Sequence, residues 1–133
     1  YPNGGTAGHI GIAWGWYTIA PNWSSVWPAA SNPLGYKEPD SAKAMIVMTD
    51  GEFNQEYNYS EGNGDSFAQA KILCDKVKDE GVRIYTVAFQ AGQKVLEYCA
   101  SGTEFAFKAD SANELKDAYA KIATSISDLR ITY

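Results

Sequence analysis

Residues 44–49, Ala-Met-Ile-Val-Met-Thr, are apolar at nearly every position and bounded by polar turn residues, the pattern of a strand covered on both faces in a parallel sheet. The β-rich run 82–89 predicts a second strand and 104–108 a third, shorter one. Between and around them the period changes to that of helices. Phe67, Ala70, Leu73, Cys74 and Val77 recur at helical spacing over 65–80, which closes on Glu80-Gly81, where glycine supplies a left-handed cap. Residues 93–100 predict a short helix. Ser111-Ala-Asn-Glu114 has the form of a capping box, and Leu115, Tyr119, Ile122, Ile126 and Leu129 then mark the apolar stripe of a closing helix over 111–129. Ile10, Ala13, Trp14 and Tyr17 predict a first helix over 6–19, stopped by Pro21. Its Gly8, Gly11 and Gly15 each cost about 1 kcal/mol of propensity against alanine, so they are read as places where another backbone comes close.

Helices and strands thus alternate, which predicts the α/β class: a partial doubly wound parallel sheet with right-handed crossovers. Successive crossovers of one hand place the helices 65–80 and 93–100 side by side on one face of the sheet. Cys74 lies on the first and Cys99 on the second. Bridged, they would close a loop of about 26 residues and contribute roughly 3–4 kcal/mol in the chain-entropy model; the other reading is two buried free thiols.

Composition bounds the rest. A chain of 133 residues, 45% hydrophobic and 20% charged, has enough surface to bury for one core and too little for two. The net charge of −5, without a basic stripe, removes the electrostatic term on which nucleic-acid binding relies. No apolar run approaches the ~20 residues that span a bilayer. One histidine and two cysteines exclude multi-histidine, four-cysteine and C-x-x-C metal centres, so a metal site here would have to be built from oxygens. All five prolines and all four tryptophans precede residue 40, and 21–41 reads as a long loop. The chain begins Tyr1-Pro2-Asn3, which leads us to expect a segment of something longer or a processed product.

Candidate chemistry gathers at strand ends. Asp50 closes the most apolar strand and Gly51 lets the backbone turn, which places the carboxylate at the crevice beyond the sheet where α/β proteins bind ligands; the alternative is a carboxylate that only caps the turn. Thr6, after Gly4-Gly5, either caps the first helix or offers its hydroxyl to a cation. His9 has no Ser-His-Asp or Cys-His signature around it, and the glycines form neither phosphate-cradling motif. The tryptophans with Tyr17 and Tyr36 read either as packing under the long loop or as an interface, with Trp23, Trp27, Tyr57 and Tyr59 as the partner-binding candidates. Asn22-Trp23-Ser24 and Asn58-Tyr59-Ser60 match the N-glycosylation sequon.

Gly4-Gly5-Thr6, Ile12-Ala-Trp-Gly-Trp16, Met45-Ile-Val-Met-Thr-Asp-Gly-Glu52, Ile84-Tyr-Thr-Val-Ala-Phe89, Cys99-Ala-Ser101 and Asp128-Leu-Arg-Ile131 together resemble the carboxy-terminal part of a von Willebrand factor A domain. More narrowly they resemble the TadG-type proteins of bacterial tight-adherence pilus assembly, over nearly the whole chain. The resemblance implies a Rossmann-like topology and a metal-ion-dependent adhesion site holding Mg²⁺, Ca²⁺ or Mn²⁺ at the top of the sheet. Thr6 corresponds by position to its threonine and Asp50 to its aspartate. The Asp-x-Ser-x-Ser that completes such a site does not occur in these residues, so the resemblance further implies that it lies upstream in a longer parent, together with the first strands and a membrane anchor. Thr6 and Asp50 supply two of the roughly six oxygens that a hard cation takes, and binding by this segment is expected to be weak or absent.

The function expected from the resemblance is a non-enzymatic adhesion module, extracytoplasmic (periplasmic or attached to the cell envelope), with pilus or envelope proteins as partners. The open edge of 44–49 is expected to pair with a second copy or a complementary fragment. Two further readings are a metal-assisted hydrolase using Asp50 and Glu52, and a structural half-domain with a vestigial site.

Overall fold

The computed structural model describes residues 4–54, 64–92 and 94–129. The order is α1 (Gly8–Ile19), β1 (Ala44–Thr49), α2 (Ser66–Asp79), β2 (Arg83–Phe89), α3 (Lys94–Cys99), β3 (Ala106–Ala109) and α4 (Ala112–Leu129), with short 3₁₀ turns at Pro21–Trp23, Ala29–Ser31 and Thr103–Phe105. This is the alternation and the α/β class that the hydrophobic pattern predicts. All three strands are parallel and in sequence order, β1-β2-β3, registered from Ala44↔Arg83 to Thr49↔Ala88 and from Thr86↔Ala106 to Phe89↔Ala109.

The period of two divides the core into two layers. On one face Met45, Ile84 and Ala88 meet Ile12 of α1, Ala70, Cys74 and Val77 of α2, and Val95, Leu96 and Cys99 of α3. On the other, Tyr85 and Val87 meet Leu115, Ile122 and Ile126 of α4. Both crossover helices therefore lie on one face, and Cys74 and Cys99 are joined by a disulfide with their Cα atoms 5.1 Å apart. Both sulfurs are fully buried, so the bridge is part of the core as well as a cross-link.

Helix ends follow local chemistry. Asp65 caps α2, its Oδ1 accepting from Ala68 N at 2.8 Å, and Gly81 (φ +83°) terminates it in the left-handed region. At α4, Ser111 Oγ accepts from Glu114 N, while the Glu114 carboxylate reaches one residue further back than in a standard capping box, to Asp110 N at 2.7 Å.

Two expectations change. The strand 44–49 is apolar on both faces, yet β1 lies at a sheet edge among the described strands, with Ile46 and Met48 exposed at 40% and 42%. The run encodes cover on both faces, and here Met45 and Thr49 are buried and Ala44 and Val47 half-buried, while Ile46 and Met48 are left open. Among the described strands the order does not reverse, so they show no switch point of the kind at which doubly wound sheets bind ligands.

Candidate functional site

The site builds from the C-terminal end of β1. Thr49 Oγ1 accepts from Gly51 N at 3.1 Å and donates to Gly51 O at 2.9 Å, so Thr49, and not Asp50, ties the Asp50-Gly51 turn. Asp50 is left exposed at the rim. Thr6 does not cap α1, whose N-cap is Ala7 without a side-chain bond. It forms instead an isolated parallel bridge to Phe53, with Thr6 N donating to Asn54 Oδ1 at 2.8 Å and Asn54 N donating to Thr6 O at 3.0 Å. This fastening brings the Thr6 hydroxyl to 3.2 Å from where a β-carbon on Gly51 would stand, one residue from Asp50. Two residues 44 positions apart in the chain thus share one rim.

Close approach makes a second glycine necessary. A β-carbon on Gly8 would lie 2.0–2.2 Å from the Phe53 ring, so Gly8 lets Phe53 pack onto the first turn of α1 and hold the rim segment in place. Glu52, exposed on the same loop, leans toward the loop after β2, its Oε1 being 3.1 Å from a β-carbon position on Gly92.

The donors at this rim are hard oxygens, the chemistry that suits Mg²⁺ or Ca²⁺, but they do not fill a coordination shell. Among the described residues no three His, Cys, Asp or Glu side chains cluster in a way that could hold a metal.

The aromatic candidates divide. Trp23 stacks on Tyr17 with centroids 4.0 Å apart, Trp27 Nε1 donates to Tyr17 O at 3.0 Å, and Trp16 Nε1 donates to Tyr36 Oη at 2.7 Å. These contacts pin the proline-rich loop to α1. Lys43 adds to the same fastening, its Nζ donating to the carbonyls of Ile19 and Leu34. Burial lowers the Lys43 pKa from its ordinary value, Glu38 opposing weakly. Burial likewise raises the pKa of Tyr36, against the Trp16 hydrogen bond and with help from Glu80. Tyr57 and Tyr59, and the sequon Asn58-Tyr59-Ser60, lie outside the described residues.

Two features escaped the sequence. His9 Nδ1 lies 2.8 Å from Ser66 Oγ, both residues being buried, which joins α1 to the start of α2. Ser66 has no solvent access, so the pair serves packing rather than nucleophilic attack. Trp14, not singled out as a partner contact, is the exposed tryptophan at 56%. Helical spacing from Ile10 and Tyr17 assigned it to the covered stripe, yet α1 turns Ile12, Trp16 and Ile19 to the core instead and leaves the indole outside.

These observations define a three-stranded parallel α/β unit with a polar rim at the C-terminal end of its edge strand. Solved structures share that fold. Over 92% of this chain, proximal thread matrix protein 1 from the mussel byssus superposes with a TM-score of 0.57 at 21% identity. The pilus adhesin SpaC from Lactobacillus rhamnosus GG does so over 92% with a TM-score of 0.60 at 16% identity. The chain spans 27% of the first structure and 19% of the second. No protein-family model matches the chain, and no curated protein matches it.

Proposed function

We propose that this chain is part of a non-enzymatic adhesion or protein-binding module, with Thr6 and Asp50 contributing oxygens to a divalent cation at the rim. The observation that carries the reading is the Thr6–Phe53 bridge, which sets the Thr6 hydroxyl against Gly51 beside an exposed Asp50 whose turn is already tied by another residue. The module is of the von Willebrand factor A type, in its TadG-like form, and its partners are pilus or envelope proteins. The likeness in fold to a pilus adhesin supports the adhesive theme, and the buried disulfide supports an extracytoplasmic location, since such bonds persist in oxidising compartments. No helix among the described residues is long and apolar enough to cross a membrane; the membrane anchor, like the missing first strands, is what the resemblance implies for a longer parent. The open edge of β1 is covered there by a further strand.

Isothermal titration with Mg²⁺ tests the cation. We expect a weak, saturable heat, with affinity on the order of millimolar, that disappears in Asp50→Asn and Thr6→Ala while the circular dichroism spectrum is unchanged. Cation binding by the longer parent that survives both Asp50→Asn and Thr6→Ala, or phosphatase turnover that Asp50→Asn abolishes, overturns the reading.

A further inference from the structure

Charge is unevenly distributed along the chain. All 11 basic and 16 acidic residues lie from Lys37 onward, so residues 1–36 carry no Lys, Arg, Asp or Glu. That stretch includes α1, Gly-His-Ile-Gly-Ile-Ala-Trp-Gly-Trp-Tyr-Thr-Ile, which is apolar nearly all round. A helix of that kind belongs in an interior. Yet α1 buries only His9 and Ile12 among its twelve residues. Its inner side meets β1 and α2; its outer side ends at an open groove of about 400 Å³ between α1 and α2, walled mostly by apolar side chains such as Ile10, Trp14, Tyr17 and Ile72, with His9 and Gln69 as its polar members. Trp14 and Ile72 stand at that groove 56% and 46% exposed. Trp14 lies edge-on to Tyr17 (5.8 Å), which is itself stacked on Trp23.

We propose that this face binds a second copy of the chain, in a two-fold dimer in which Trp14 of each protomer fills the α1–α2 groove of the other. Charge argues for a copy of the same chain. At a net charge of −5 two copies repel each other over most of their surface, and the charge-free stretch offers a patch on which self-contact costs no like-charge repulsion. Shape argues the same way: a protruding indole beside an unfilled apolar groove is self-complementary under a two-fold axis, where each contact is made twice. Charge depletion with tryptophan and tyrosine at the centre is also the composition of a protein–protein interface core rather than of an anionic-lipid or nucleic-acid surface. The inference concerns a different face from the rim and does not depend on the cation.

Sedimentation equilibrium of the 133-residue chain, with and without EDTA, tests it. We expect a reversible monomer–dimer equilibrium unaffected by EDTA. Trp14→Lys and Ile72→Lys, both at exposed positions, are each expected to weaken it by about thirtyfold or more, the loss typical of a central interface residue, with unchanged circular dichroism. Ile46→Lys on the β1 edge should leave it unaltered. A strict monomer at several hundred micromolar overturns the proposal, including one that instead cosediments with phosphatidylcholine vesicles. So does a dimer that survives both α1–α2 variants or is lost with Ile46→Lys.

Discussion

Gly8 and Gly11 sit one turn apart on α1 and are opposite in what they tolerate. A methyl group on Gly11 meets nothing within 4 Å, so Gly11→Ala removes unfolded-state freedom without a clash and should stabilise by about 0.5–1 kcal/mol. Gly8→Ala drives the Phe53 ring off α1 and should cost about 1–3 kcal/mol, the range of overpacking, as well as loosening Thr6 from its bridge. Urea titrations of both variants check the opposite signs. Tyr36 makes a pH prediction. Its folded pKa is raised above the unfolded value of 10.0, so at high pH the unfolded chain loses the proton first. The stability it contributes is complete below pH 10 and is lost as the pH rises through the folded pKa. Denaturant midpoints should fall over that window in the wild type and fall less in Tyr36→Phe.

Among the elements, the Cys74–Cys99 link between α2 and α3 closes a loop with a sequence separation of 25. Replacing both cysteines by alanine should cost about 3–4 kcal/mol, read as a lower urea midpoint, and dithiothreitol should shift the wild type toward the same value. The elements were legible because each carries its own signal: a β-rich run buried on both faces in 82–89, and a period of 3.6 in 65–80 and 111–129, the second opened by the Ser111 capping box. The pairing of helices on one face followed from crossover handedness, a rule that needs no side-chain detail. The site was less legible. Thr6 read either as a helix cap or as a cation ligand, and its bridge to Phe53, which packs against Gly8, is tertiary and leaves no mark on the local sequence. The His9–Ser66 contact, 57 residues apart in sequence, leaves no local signature at all.

At the scale of the whole molecule, the outer edge of β1 is an open strand edge among the described residues. Ile46 and Met48 are 40% and 42% exposed beside a row of main-chain groups that no described strand pairs. Such an edge templates strand addition unless a charge interrupts it. Met48→Lys should lengthen the lag of thioflavin-positive aggregation several-fold at little cost in stability, because the Met48 side chain is open to solvent, with the Tyr119 hydroxyl donating to its sulfur at 3.3 Å.

The covalent tie lies entirely on one side of the sheet, within the layer of α2 and α3, whereas α4 is held on the other side by Leu115, Ile122 and Ile126. Under tension between the chain ends, α4 can peel away alone while the stretch from Cys74 to Cys99 stays short-circuited by its bridge. Roughly 80–90 Å of contour length is thereby withheld from extension. In an optical trap, stretching in dithiothreitol should release that missing length as an added increment. A chain working between a surface and an anchor would thus yield in stages rather than at once.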